Sequence, residues 1–182
     1  MMGDRGMTDA LVIIDVQRGM FSFPDMQPFD GDVTVQRIRQ LLDQARSVSM
    51  PIFFVQHDGG VGDILAADSA GFPFHEALTP AAGESVTVKQ HCNAFQGTDL
   101  EAHLRASGAG RLTVAGMQSN YCVDTFVRAA VERGFKIRLV ADGHTTFDTP
   151  VLSAAQIIAH HNHTLSGSFA ETVPAAEIIF SV

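Results

Sequence analysis

No run in these 182 residues approaches the roughly 18 consecutive apolar side chains that a membrane-spanning helix requires, so an integral membrane protein is not expected. Positive charge is scarce. Lys and Arg number 12 against 20 Asp and Glu, a formal net charge of -8. A nucleic-acid binder displaces counterions from phosphates with a basic stripe, and that class is set aside. Met1 to Asp9 carries Asp4, Arg5 and Asp9 and no apolar h-region, which argues against a secretory leader and makes a cytoplasmic protein the expectation. Cysteine is limited to Cys92 and Cys122, with no Cys-x-x-Cys pattern, so reduced thiols are expected rather than a structural disulfide or a redox pair. Linkers, repeats and low-complexity tracts are also missing, and one domain over residues 1–182 is the reading.

What is present is an alternation of short apolar runs and longer amphipathic stretches. Ala10 to Ile14 is a continuous apolar run of strand length that ends at Asp15. Ile38, Leu41, Leu42 and Ala45 then recur at helical spacing within residues 33–48. Ile52 to Val55 reads as a second strand, Val86 to Val88 as a third ending at Lys89, Leu112 to Ala115 as a fourth, and Lys136 to Ala141 as a fifth. A last strand is expected over Glu177 to Phe180. Between the strands, Thr98 to Ala106 reads as a helix opened by a Thr98–Glu101 capping box. Residues 121–133 form another, stopped by Gly134, and Pro150 opens one that runs to about His163. Residues 58–84 form a loop too long to be a simple connector. Nearly all-apolar strands alternating with helices imply a parallel sheet covered on both faces: a three-layer α/β/α fold.

Ligands of open α/β sheets sit beyond the carboxyl ends of the strands. Asp15, Lys89 and the Gly116 to Cys122 turn all fall at such ends. Each has an ordinary structural explanation alone; their coincidence at one edge points to chemistry. Cys122 is expected in the first turn of a helix, where unpaired N–H groups favour thiolate and can face the oxygen of a tetrahedral intermediate. On that ground Cys122 is expected to alkylate faster than Cys92, which reads as a packed thiol. Asp15 is the candidate proton carrier, and Lys89 the charge that keeps Asp15 ionised.

Three stretches carry a family resemblance: Ala10-Leu-Val-Ile-Ile-Asp-Val-Gln17, Val88-Lys-Gln-His-Cys-Asn-Ala-Phe95, and Val114-Ala-Gly-Met-Gln-Ser-Asn-Tyr-Cys-Val123, with Ile157-Ile-Ala-His-His-Asn162 towards the end. The sequence resembles the isochorismatase-like cysteine hydrolases, which include nicotinamidases, N-carbamoylsarcosine amidases and isochorismatases. The resemblance implies a six-stranded parallel sheet, a catalytic triad of Asp15, Lys89 and Cys122, and a cis peptide between Met117 and Gln118. It also implies an oxyanion hole from the Gln118 and Cys122 N–H groups, and assembly into dimers or tetramers. The implied reaction is hydrolysis of a C–N bond in a small amide or carbamoyl compound, with no cofactor. Vinyl-ether cleavage is disfavoured because Cys122 is present. The Asp-x-His pattern of nicotinamidase metal sites is missing where Val55-Gln-His-Asp-Gly59 stands, and no metal is assigned, although His57, Asp58, Asp63 and His75 carry suitable donor atoms. His160, His161 and His163 read as surface or capping residues. Phe21, His57, Phe95 and Tyr121 are the candidate walls of a substrate pocket.

Overall fold

Five apolar side chains in succession, Ala10 to Ile14, leave a strand no face to turn towards water, and both faces are buried. The computed structural model describes residues 8–181; the reading of Met1 to Asp9 falls mostly outside them. β1 (Thr8–Ile14) is central in a six-stranded sheet with β2 (Ile52–His57), β3 (Ser85–Lys89), β4 (Ala109–Met117), β5 (Lys136–Thr145) and β6 (Glu171–Val173). The spatial order is β3-β2-β1-β4-β5-β6, and every neighbouring pair is parallel.

The two-residue period of β1 divides the core. Leu11 and Ile13 point to one face and pack with Ile38, Leu41 and Leu42 of α1 (Gly31–Ser47). Ala10, Val12 and Ile14 point to the other. There they meet Leu100 and Leu104 of α2 (Leu100–Ala106) and Phe126, Val127 and Ala130 of α3 (Asp124–Glu132). α4 (Ala154–Leu165) lies beside α3 and contributes Leu165 to that face. Each of the larger side chains among these contributes roughly 1.5–3 kcal/mol by leaving water, so the sandwich is held from both sides. Among the described residues no helix is long and apolar enough to cross a membrane.

Four local expectations are corrected. The Thr98–Glu101 capping box does not form: α2 starts at Leu100 behind Asp99, and Thr98 Oγ1 turns back to the Ala94 carbonyl. Pro150 does not open α4. Ser153 does, its hydroxyl accepting from the Gln156 N–H while the Gln156 side chain takes the Ser153 N–H, a reciprocal cap. The last strand lies at Glu171–Val173 rather than 177–180. Pro174, which has no N–H to give a ladder, ends it, and Ile178 and Phe180 fill the α1 face instead. Finally, Ser119–Val123 is a wide π-type turn, and regular helix begins only at Asp124.

Gly116, near the end of β4, sits where β4 shifts register against β5 and has φ +133°. A Cβ there would lie 2.1 Å from the Ile14 carbonyl oxygen, part of the backbone of the neighbouring strand. Gly116→Ala is therefore expected to destabilise the protein by about 3 kcal/mol or more. Urea unfolding of the variant within about 1 kcal/mol of wild type would show that β1 and β4 can part without cost.

Candidate active site

From β1 the sheet grows one way, to β2 and β3, and from β4 the other way, to β5 and β6. The chain therefore leaves the carboxyl ends of β1 and β4 in opposite directions and opens a crevice between them. Asp15 follows β1 directly, its backbone in the left-handed region at φ 51°, which Asp tolerates better than most residues. Its amide donates to the Val55 carbonyl and its carbonyl accepts from the Gln17 N–H, so the turn is pinned on both sides. Cys122 arrives from β4 through the Ser119–Val123 turn. Lys89 comes from the end of β3, two strands from β1 and hence about 10 Å across the sheet. Its long flexible stem spans that gap.

The three groups meet in the crevice. Lys89 Nζ lies 2.7 Å from Asp15 Oδ2 and 3.2 Å from Cys122 Sγ, and both charged side chains are fully buried. The thiol also faces the carboxyl. Burial pushes the Asp15 carboxyl up, against the pull of Lys89. At Lys89 burial acts downward but is outweighed by Asp15 and Cys122, and the ammonium is held above its usual range. Burial, followed by the Asp15 charge, pushes the Cys122 thiol well up. Burial and the neighbouring carboxyl thus favour a protonated thiol, beside an ammonium that is held charged and a carboxyl of heightened basicity. Loss of water and the neighbouring carboxylate act against the thiolate expected at this position.

His57 ends β2, directly in register with Lys89. Its Nδ1 lies 3.3 Å from Lys89 Nζ, and because an ammonium only donates, Nδ1 is the acceptor. Burial and then Lys89 pull this imidazole below its ordinary value, which keeps it neutral. The buried Gln17 side chain holds His57 in place by donating to the His57 and Phe72 carbonyls and accepting the His57 N–H. Tyr121, on the turn beside Cys122, is exposed, and Phe21 is half-buried against the edge of the His75 ring. Phe95 is no pocket wall. It stacks on Phe126 and Phe135 beneath the Arg133 guanidinium, inside the core between α2 and α3.

The Met117–Gln118 peptide is cis. The Gln118 side chain accepts from Thr146 Oγ1, which also reaches Asn120 Oδ1. The residues weighed as metal donors do not converge. Asp58 Oδ1 accepts from the Gly60 and Ala67 amides, Asp63 Oδ1 from the Leu65 amide, and His75 Nδ1 from the Ala77 amide. They brace the long loop, and among the described residues no group of three or more His, Cys, Asp or Glu is arranged to hold a metal. Cys92, expected to be packed, is exposed.

A second polar cluster escaped the sequence reading. Ser119 Oγ donates to His144 Nδ1 at 2.7 Å, and His144 Nε2 donates to Asn162 Oδ1 at 3.0 Å. The Asn162 amide is oriented by its own donation to the Ala141 carbonyl at 2.8 Å, and this fixes the imidazole tautomer. Burial, with Asn162 acting the other way, brings the His144 imidazole down to about 4. No local pattern marked this cluster, since its members lie 25 and 18 residues apart and His144 follows Asp142 and Gly143 at an already polar strand end.

The isochorismatase domain model matches residues 9–167. The chain belongs to the isochorismatase family of hydrolases. It is 34% identical over 141 residues to a streptothricin hydrolase of Streptomyces noursei, covering 78% of this chain and 51% of that one. With a ureidoacrylate amidohydrolase of Methylobacterium radiotolerans it shares 26% identity over 170 residues, 74% of this chain and 66% of the relative. The chain thus spans about half of the first relative's length and about two thirds of the second's. The crystal structure of an isochorismatase from Pseudomonas putida superposes with a TM-score of 0.88 at 34% identity, covering 94% and 90% of the two chains. The six-stranded parallel sheet is that family's fold.

Two predictions concern the buried groups of this family member. A bulky anionic disulfide reagent is expected to titrate Cys92 in the native state and Cys122, which is 9% exposed, only on unfolding. Release of both thiols at one rate would contradict this burial. His144 is neutral when folded down to about 4, while an unfolded imidazole binds a proton below about 6.5. Its contribution is complete above that unfolded value and is lost as pH falls towards 4, about 3 kcal/mol in all. The stability gap between wild type and His144→Asn should narrow by about that amount between pH 7 and 4 in urea titrations. A gap constant with pH would remove the assignment.

Proposed function

We propose that this family member is a cysteine hydrolase that cleaves a C–N bond in a small amide or carbamoyl compound through a thioester on Cys122. The observation that carries the reading is the meeting of a carboxyl, an ammonium and a thiol within 2.7 and 3.2 Å, out of water, at the crevice where the sheet changes direction. The amidohydrolase among the relatives supports the bond type. So does the carboxyl: an amine leaves an amide only with a proton, and a carboxyl raised towards neutrality gives and takes one readily.

In this reading Asp15 accepts the Sγ proton as sulfur attacks the substrate carbonyl. The Gln118 and Cys122 amides face the oxygen that becomes negative, and Lys89 stays beside whichever of sulfur or carboxylate carries the charge. The tetrahedral adduct collapses, the C–N bond breaks, and Asp15 returns the proton to the departing nitrogen. Water then attacks the thioester with Asp15 as base, the acid leaves, and the proton goes back to sulfur. His57 holds Lys89 from the β2 side, and the half-buried Phe21 and exposed Tyr121 are the candidate walls of the substrate pocket.

Cys122→Ala is expected to lower turnover at least about 10³-fold while keeping the fold. Asp15→Ala leaves the Lys89 charge buried and unpaired, so it should also cost about 3–5 kcal/mol of stability. The double variant Asp15→Asn with Lys89→Met removes both charges and should recover much of that stability while remaining inactive. Intact-mass spectrometry after brief exposure to nicotinamide and carbamoyl compounds, with peptide mapping, should find the acyl group on Cys122. Turnover of any of these compounds by Cys122→Ala at more than a tenth of the wild-type rate would sink the proposal.

A further inference from the structure

Ser119, His144 and Asn162 take no part in the proposed reaction, yet each is placed with respect to it. Ser119 opens the turn that carries Cys122, three residues ahead of the thiol. His144 stands on β5, in register with Gly116 of β4, and Asn162 projects from α4. Both Ser119 and His144 are essentially inaccessible, at 0% and 2% exposure. A serine, histidine and asparagine in a chain also invite comparison with a hydrolytic triad. That comparison fails on two counts: Ser119 has no exposed surface for a substrate to reach, and its proton is already given to Nδ1.

The remaining role is mechanical. A buried polar chain is costly unless each member is satisfied, and a satisfied one is stiff. Here the Ser119 hydroxyl, both imidazole nitrogens and both ends of the Asn162 amide are used, and the last bond ends on the β5 backbone at Ala141. The turn that this chain reaches needs such an anchor. Its wide π-type geometry departs from an α-helical turn, with the Tyr121 and Val123 amides both converging on the Gln118 carbonyl. We infer that Ser119, His144 and Asn162 are positioning residues, a relay that ties the cysteine-bearing turn to β5 and α4 and fixes Sγ against Asp15 and Lys89. The inference rests on the reading of Cys122 as the nucleophile.

The test uses iodoacetamide, a small neutral amide, and reads the alkylation rate of Cys122 against exposed Cys92 as an internal standard, by peptide mapping of the folded protein. Ser119→Ala should lower the Cys122-to-Cys92 ratio at least fivefold, because sulfur drifts from the groups that assist its ionisation. Asn162→Ala, cut at the far end, should lower it two- to fivefold and carries the test if Ser119→Ala does not fold. His144→Asn keeps an acceptor where Nδ1 stood but cuts the link to Asn162, so it should lower the ratio as Asn162→Ala does, two- to fivefold. Ratios unchanged or raised in Ser119→Ala and Asn162→Ala would overturn the relay, as would a His144→Asn ratio unchanged from wild type. Loss of the nucleophile reading would instead appear as turnover surviving in Cys122→Ala, whatever these ratios do.

Discussion

Taking an ammonium and a carboxylate out of water costs several kcal/mol per ion before their attraction is counted. The carboxyl edge of this sheet is arranged around doing so at Lys89 and Asp15, whose side chains are both fully buried. Lys89 is one of two lysines in the chain, and it reaches across β2 to a carboxyl on a turn pinned to Val55 and Gln17. His57 accepts from the same ammonium, and Gln17 holds His57 by both of its backbone polar groups. Remove the pair and the surrounding geometry loses its reason: the left-handed Asp15, the buried Gln17 and the lysine at an edge strand all serve it.

Such a pair is weak evidence for stability, since well-packed apolar side chains of similar volume often do as well or better. Stability comes instead from the two apolar layers on the faces of β1. The two demands are separated in space, one at the faces and one at the strand ends. They touch at Gly116, where β4 must approach Ile14 closely enough for the turn after it to hang over Asp15. This is why a glycine with no chemistry of its own is as constrained as the residues around the thiol.

Much of this was legible in the sequence, for a physical reason. A strand buried on both faces is a continuous apolar run, and a charged or nucleophilic residue ending it stands out. Asp15 could therefore be picked before any geometry was known. Lys89, after the half-exposed Ser85–Val88 run, and Cys122, in the turn beyond β4, were picked by their place past strand ends and by the family resemblance. The Ser119–His144–Asn162 chain could not, because its bonds join three elements and none of its members breaks a local pattern by itself. Phe95 was misread for the opposite reason. Its place between Lys89 and α2 resembled a pocket rim, but a bare aromatic ring gains most by stacking, and Phe126, Phe135 and Arg133 offered it a complete site. The α4 start was misplaced because Pro150 is a permitted first-turn residue, whereas Ser153 and Gln156 satisfy two amides at once.

The protonated thiol fits this separation of demands. A free thiolate in an apolar crevice would be a third buried charge. Holding the proton on sulfur leaves one ammonium and one carboxylate, and moving it to Asp15 keeps the total charge of the group unchanged. Lys89 lies within 3.2 Å of both Sγ and Oδ2, so its attraction passes from one anion to the other without a change of solvation. In the proposed reaction the cost of making the nucleophile depends on the separation of sulfur from the carboxyl rather than on transfer of charge from water. In that reaction the position of Cys122 would control its basicity and its reach together, so that a stiff support behind the turn would matter more than a lowered thiol pKa.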